Sequence, residues 1–176
     1  MDPGTALTPP FPATPLLGFN LGMQICFDIR FPESSLSLRR QGAHILSYAA
    51  AFSVTTGSAH WATLLRARAI ETQSYVVGAA QVGRHHPQPT AKSLTGNAGS
   101  AGVGRVRENV SWGESMIIDP WGRILGRCKS FSDYSREDMG NESQSEDEYM
   151  ESICVAEVDM ELIDRVRREI PLRRRM

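Results

Sequence analysis

The sequence is short of cysteine, of lysine and of long apolar runs. Its three cysteines, Cys26, Cys128 and Cys154, are too few for a disulfide scaffold and show no metal-ligand spacing. No metal and no cofactor are expected. No apolar stretch approaches the ~18 residues needed to cross a bilayer. The opening "MDPGTALTPPFPATP" has neither a basic region nor an apolar core, so a signal peptide is not expected. A formal net charge of −1 points to neither nucleic acid nor a membrane surface as partner. The one basic cluster, Arg165, Arg167, Arg168, Arg173, Arg174 and Arg175, has no aromatic platform for stacking bases. A reducing, cytoplasmic setting is the default for this cysteine content, with a mitochondrial one open for a form extended upstream.

What is present fits one α/β domain. The chain has 176 residues, 41% hydrophobic and 22% charged, enough for a core of its own. Residues 1–17 are rich in Pro, Thr and Ala and read as an extended lead-in. In "LGMQICF", Met23, Ile25 and Phe27 alternate with Gly22, Gln24 and Cys26, which is the period of a strand. Pro32 suits a helix start and Gly42 a helix stop, predicting a short helix over about 32–41. "AHILSYAAAF" reads as a buried strand. "SAHWATLLRARAIETQ" is the strongest helical segment, with Ser58 as its cap, and "SYVVGAAQV" is another apolar strand. Strand, helix, strand, helix, strand is the order of an α/β sheet.

The later sequence is less regular. An insert over about 86–110 is rich in Gly, Pro, Ser and Thr and reads as flexible. "SWGESMIIDPWGRILGRCKS" reads as a β-hairpin turning at Asp119, Pro120, Trp121 and Gly122. A second insert, over about 130–150, carries an acidic run of the kind that usually forms a solvated loop. "SICVAEVD" reads as a strand. "MELIDRVRREI" reads as a helix with Leu162, Val166 and Ile170 on one stripe, and residues 172–176 are a basic tail.

Cys26 has two readings. A lone cysteine in an apolar strand is usually a small buried hydrophobe. Against that, Cys26 ends its strand, lies on the less apolar face, and precedes a turn and a helix N-terminus that favours thiolate.

"GMQICFDIRFPE" resembles the nucleophile motif of the nitrilase (carbon–nitrogen hydrolase) superfamily. The resemblance continues through "HILSYAAAF", "HWATLLRARAIETQSYVVGAAQVGRHH", "SWGESMIIDPWGRIL" and "AEVDMELIDRVRREIP". It covers most of residues 18–171 apart from the two inserts. "AAQVGRHH" looks most like the branch that hydrolyses deaminated glutathione, with the ω-amidases as neighbours. The resemblance implies an αββα sandwich of two facing sheets. It also implies a cysteine that attacks an amide or nitrile carbon, with a glutamate as base and a lysine beside the tetrahedral intermediate. Cys26 matches the nucleophile, and the backbone N–H of Phe27 the oxyanion donor. Such a route splits one hard hydrolysis into two easier steps.

The family's glutamate and lysine precede its cysteine. Here the residues before Cys26 contain no Glu, Lys or Arg, and the two lysines of the chain are Lys92 and Lys129. The resemblance therefore covers only the later part of the fold. An incomplete sandwich and a truncated form, whose activity alone is left open, are the expectation. The alternative is a non-catalytic module that pairs with a related subunit. A homo-oligomer, or pairing with a full-length relative, is expected by resemblance.

Phe52, His60 and Trp61 are candidates to line the substrate pocket. His60 is a weaker candidate for a base, and Trp61 has a core reading beside the pocket one. Arg30 and Glu33 are expected to brace the nucleophile turn by ion pairing and hydrogen bonds. Arg68 and Glu71 are expected in a buried polar network. His85 and His86 lack a third ligand with suitable spacing and read as a solvated pair.

Overall fold

The computed structural model describes residues 6–14, 18–85, 109–134 and 151–172. Most of both inserts and the basic tail lie outside the described residues, and with them His86, Lys92, Arg173, Arg174 and Arg175. In chain order the strands are β1 (Phe11–Thr14), β2 (Phe19–Ile25), β3 (Ile45–Ala50), β4 (Tyr75–Ala80), β5 (Val82–His85), β6 (Asn109–Trp112), β7 (Met116–Ile118) and β8 (Ile124–Arg127). Six of them form one sheet in the order β1-β2-β3-β4-β7-β8, while β5 and β6 pair by themselves. β2, β3 and β4 are mutually parallel, so the end of β2 lies at the same rim as the ends of β3 and β4. The lead-in supplies the antiparallel edge strand β1.

Alternation along the strands sorts side chains to two faces. On one face Gly22, Leu46, Val76 and Ile118 lie in register, and next to them Gln24, Tyr48, Gly78 and Met116. All are buried, beneath α1 (Pro32–Arg40) and α3 (Ala62–Thr72). Pro32 opens α1, where its missing N–H costs nothing. Gly78 lets α3 approach closely: a side chain there would meet Leu65 Cδ1 at 2.6 Å and Trp61 at 2.7 Å.

Among the described residues, the other face is covered at the N-terminal ends of the strands only. There α4 (Met160–Glu169) packs Leu162, Ile163 and Val166 against Tyr75, beside Phe19 and Ile45. The Tyr75 hydroxyl accepts the Asp159 N–H at 3.0 Å, and Arg167 donates to the carbonyls of Gln73 and Ala43. Beyond α4 no described residue covers this face. Met23 is 55% and Ile25 66% exposed, and Ala49 and Ala79 are exposed beside them.

The mixed α/β class, the parallel core, α1 and the hairpin at Asp119 agree with the sequence reading. A second large sheet facing the first is not among the described residues. Four local readings change. Cys26 is not in the strand; it starts a 3-10 turn, Cys26–Arg30. The helical run before α3 begins at α2 (Val54–Thr56) and passes through a π turn, Gly57–Trp61. Ser53 caps it by accepting the Thr56 N–H, while Ser58 sits inside the run and donates to the Thr55 carbonyl. "SICVAEVD" pairs with no strand among the described residues. Ile153 and Val155 are 90% and 84% exposed, because the segment runs past β8 without closing a ladder. On the α4 stripe Ile163 is buried and Ile170 is 43% exposed, since the helix ends before that turn can pack.

Candidate active site

β2 leaves the sheet at Ile25, and the chain reverses sharply. Cys26 has φ of 44°, in the left-handed region that costs non-glycine residues about 1 kcal/mol or more. The turn is fastened three ways. Asp28 Oδ2 accepts the Ile25 N–H at 2.9 Å, and the Asp28 carbonyl accepts the Phe31 N–H at 2.9 Å. The buried Arg68 donates Nε–H to the Ile29 carbonyl at 2.9 Å and Nη1–H to Glu71 at 2.8 Å. The expected Arg68–Glu71 network is therefore present, with Arg68 buried and Glu71 half in water.

Cys26 is half-buried at this rim, with its flank against the core. Cys26 and Phe27 are the first residues of the turn, where N–H groups have no acceptor within the helix itself. The Phe27 ring is 62% exposed.

Arg30 reaches back over the turn. Its guanidinium stacks on Phe27 at 5.3 Å and on Phe52 at 5.2 Å from the ring centres. Its Nη1 lies 3.4 Å from His60 Nδ1. Arg30 Nε is buried with no acceptor among the described residues. So Arg30, Phe52 and His60 gather beside the cysteine turn. Two expectations fail. Arg30 and Glu33 make no ion pair among the described residues; Glu33 is exposed on the first turn of α1, and stacking holds Arg30 instead. Trp61 is wholly buried, its ring tilted against Phe52 at 5.0 Å between centres, with its indole N–H on the Glu114 carbonyl at 2.8 Å. It supports Phe52 from behind and has no surface to offer a ligand.

Beneath the site a polar network ties β2, α1 and β3. Gln24 bonds Ser34 and accepts from Ser35 at 2.9 Å, and Ser35 meets the Tyr48 hydroxyl at 2.7 Å. Burial pushes the Tyr48 hydroxyl up to about 12, so it stays a neutral partner.

The residue that sequence reasoning missed is Glu114. It is 5% exposed, has φ of 66°, accepts the Trp112 indole N–H at 2.8 Å and pairs with Arg127. An acid directly after a glycine between two strands was the available signal. A cavity of about 760 Å³ opens beside it, between the β4 end and residues 151–153; Cys26 does not line it. The thiol stands on an open rim two strands away.

A family profile described as "Carbon-nitrogen hydrolase" matches residues 1–168. Bovine (Bos taurus) deaminated glutathione amidase is 39% identical over 170 residues, covering 97% of this chain and 39% of that protein. The Caenorhabditis elegans nitrilase and fragile histidine triad fusion protein is 40% identical over 169 residues, 96% of this chain and 29% of its own length. The crystal structure of that fusion protein superposes with a TM-score of 0.69 at 38% identity, over 97% of this chain and 31% of that one. A Saccharomyces cerevisiae structure, from branch 10 of the nitrilase superfamily, gives 0.67 at 26% identity, over 99% and 48%. The chain thus spans less than half the length of each of these relatives.

Proposed function

Because this chain belongs to the carbon-nitrogen hydrolase family, we propose that Cys26 is the nucleophile of an amidase acting on a small carboxylate-bearing amide. The observation that carries the reading is the half-exposed Cys26 at a left-handed turn on the rim of a parallel sheet. A nucleophile on such a turn stands clear of its own strand.

Cys26 Sγ adds to the amide carbon. The Phe27 N–H donates to the oxygen that becomes negative, a contribution of about 3 kcal/mol for one well-placed donor. The C–N bond breaks, the amine leaves with a proton, and water releases the acyl group as a carboxylic acid. Arg30 holds the far carboxylate. Its guanidinium has no carboxylate partner among the described residues, its Nε has no acceptor there, and Phe52 and Phe27 fix its plane. Deaminated glutathione, named in the relatives, is a substrate of this kind.

No residue upstream of Cys26 matches the glutamate and lysine of the family pattern. In the working protein a further segment supplies them, in the same polypeptide or from a partner subunit. Two facts support this: the relatives carry at least as much polypeptide again, and no described residue covers the face bearing Met23, Ile25, Ala49 and Ala79. An apolar layer over that face would complete the sandwich.

The test is peptide-mapped mass spectrometry after incubation with deaminated glutathione. It uses a form that carries the glutamate- and lysine-bearing segment. The expected result is an acyl adduct on Cys26 that vanishes in Cys26→Ala. A folded form that turns over no amide and never acylates Cys26 overturns the proposal.

A further inference from the structure

Cys128 and Cys154 lie 26 positions apart in sequence, and both reach the Ser115 carbonyl. Cys128 follows β8 and is buried, and its N–H donates to the Ser115 carbonyl at 2.8 Å. Cys154 belongs to the strap 151–159, and its thiol points at the same carbonyl, at 3.9 Å. The approach depends on Gly126: a side chain there would sit 3.1 Å from Cys154 Cβ and 3.5 Å from its Sγ. The strap has no ladder to the sheet, so these contacts hold its middle against β8. Residues 151–153 of the strap and Cys128 also line the cavity beside Glu114.

We propose that Cys128 and Cys154 are an oxidation site that closes to an intramolecular disulfide with a hydroperoxide as co-reactant. One thiolate attacks the O–O bond, giving a sulfenic acid and releasing an alcohol, or water from hydrogen peroxide. The second thiol attacks the sulfenic sulfur, the S–S bond forms, and a second water leaves. Two thiols are oxidised and one peroxide is reduced. The partly exposed Cys154 is the first to react and the buried Cys128 resolves it. Burial, then the neighbouring sulfur, push the Cys154 thiol up, so the reaction speeds as pH rises. The disulfide pins the strap to β8 and fixes the outer wall of the cavity. This site is independent of Cys26.

The test is hydrogen peroxide treatment of the full chain, then non-reducing peptide mapping. The expected product has lost two hydrogens and joins the peptide of Cys128 to that of Cys154. Dithiothreitol reverses it, and hydrogen exchange over 151–159 slows in the oxidised form. Cys128→Ser should leave a trappable sulfenic acid on Cys154, and Gly126→Ala should slow the link. Oxygen added separately to each cysteine, links between chains, or two thiols that survive while Cys26 oxidises would each overturn the proposal. The wild-type map decides this even if a variant fails to fold.

Discussion

Replacing Arg68 with methionine should loosen the turn that carries Cys26. Methionine keeps much of the buried stem but removes both donors. The Ile29 carbonyl belongs to a residue with no exposed surface, and it would lose its Nε–H partner at 2.9 Å. A buried acceptor left unmade costs about 1–3 kcal/mol. The ion pair adds less, because the Glu71 side chain is 42% exposed and rehydrates when released; pairs of that kind contribute about 0–1 kcal/mol. The sum is about 1–4 kcal/mol, centred near 2, for Arg68→Met, against under about 1 kcal/mol for Glu71→Gln, which still accepts a hydrogen bond. Urea unfolding followed by tryptophan fluorescence measures both. With a slope of about 2 kcal/mol per molar, the midpoint should fall by about 1 M for Arg68→Met and by under half of that for Glu71→Gln. Equal shifts in the two variants would mean that the ion pair, not the carbonyl bond, holds the turn, and the reasoning would fail.

Three further outcomes are expected. Burial first, then Arg167 and Arg39, hold His44 below its usual 6.5, and its Nδ1 accepts the Asn20 N–H as a neutral ring. The unfolded chain takes up that proton first, so stability should fall as pH drops from 6.5 towards the lower folded value and level off below it; urea midpoints across this range should flatten in His44→Gln. Tyr48→Phe should cost about 1–2 kcal/mol in the same assay by removing a buried hydrogen bond to Ser35. It should also abolish the part of the stability loss between pH 10 and about 12 that comes from the raised Tyr48 hydroxyl. Gly57→Ala would place a Cβ 2.2 Å from Trp112 Cβ, and thermal melting should show a loss of about 1–3 kcal/mol from overpacking.

The short-range features were legible because their causes are local. Pro32 and Gly42 bracket α1, and the Asp119 side chain closes its own hairpin by accepting the Trp121 and Arg123 N–H groups at 2.9 Å. The motif around Cys26 was legible as residue types in order. The pairing of β5 with β6 was not, since those strands flank the first insert and neither has a strong pattern. The cap moved from Ser58 to Ser53 because the helical run starts a turn earlier, at α2, and passes through a π turn that has no distinct sequence signal. "SICVAEVD" alternates like a strand, yet alternation only offers a ladder, and β8 does not accept it.

The sequence by itself determined the α/β class, the order of the main elements and the identity of the cysteine in its motif. Those follow from periodicity, turn residues and residue types close together in the chain. Tertiary structure alone decided the rest. It put Trp61 inside and Phe52 beside Arg30, left Glu33 exposed, buried Glu114 between Trp112 and Arg127, and brought Cys154 to the Ser115 carbonyl beside Cys128. Each of these depends on which surfaces meet across the sheet, and pairwise contact between distant segments leaves no trace in local pattern.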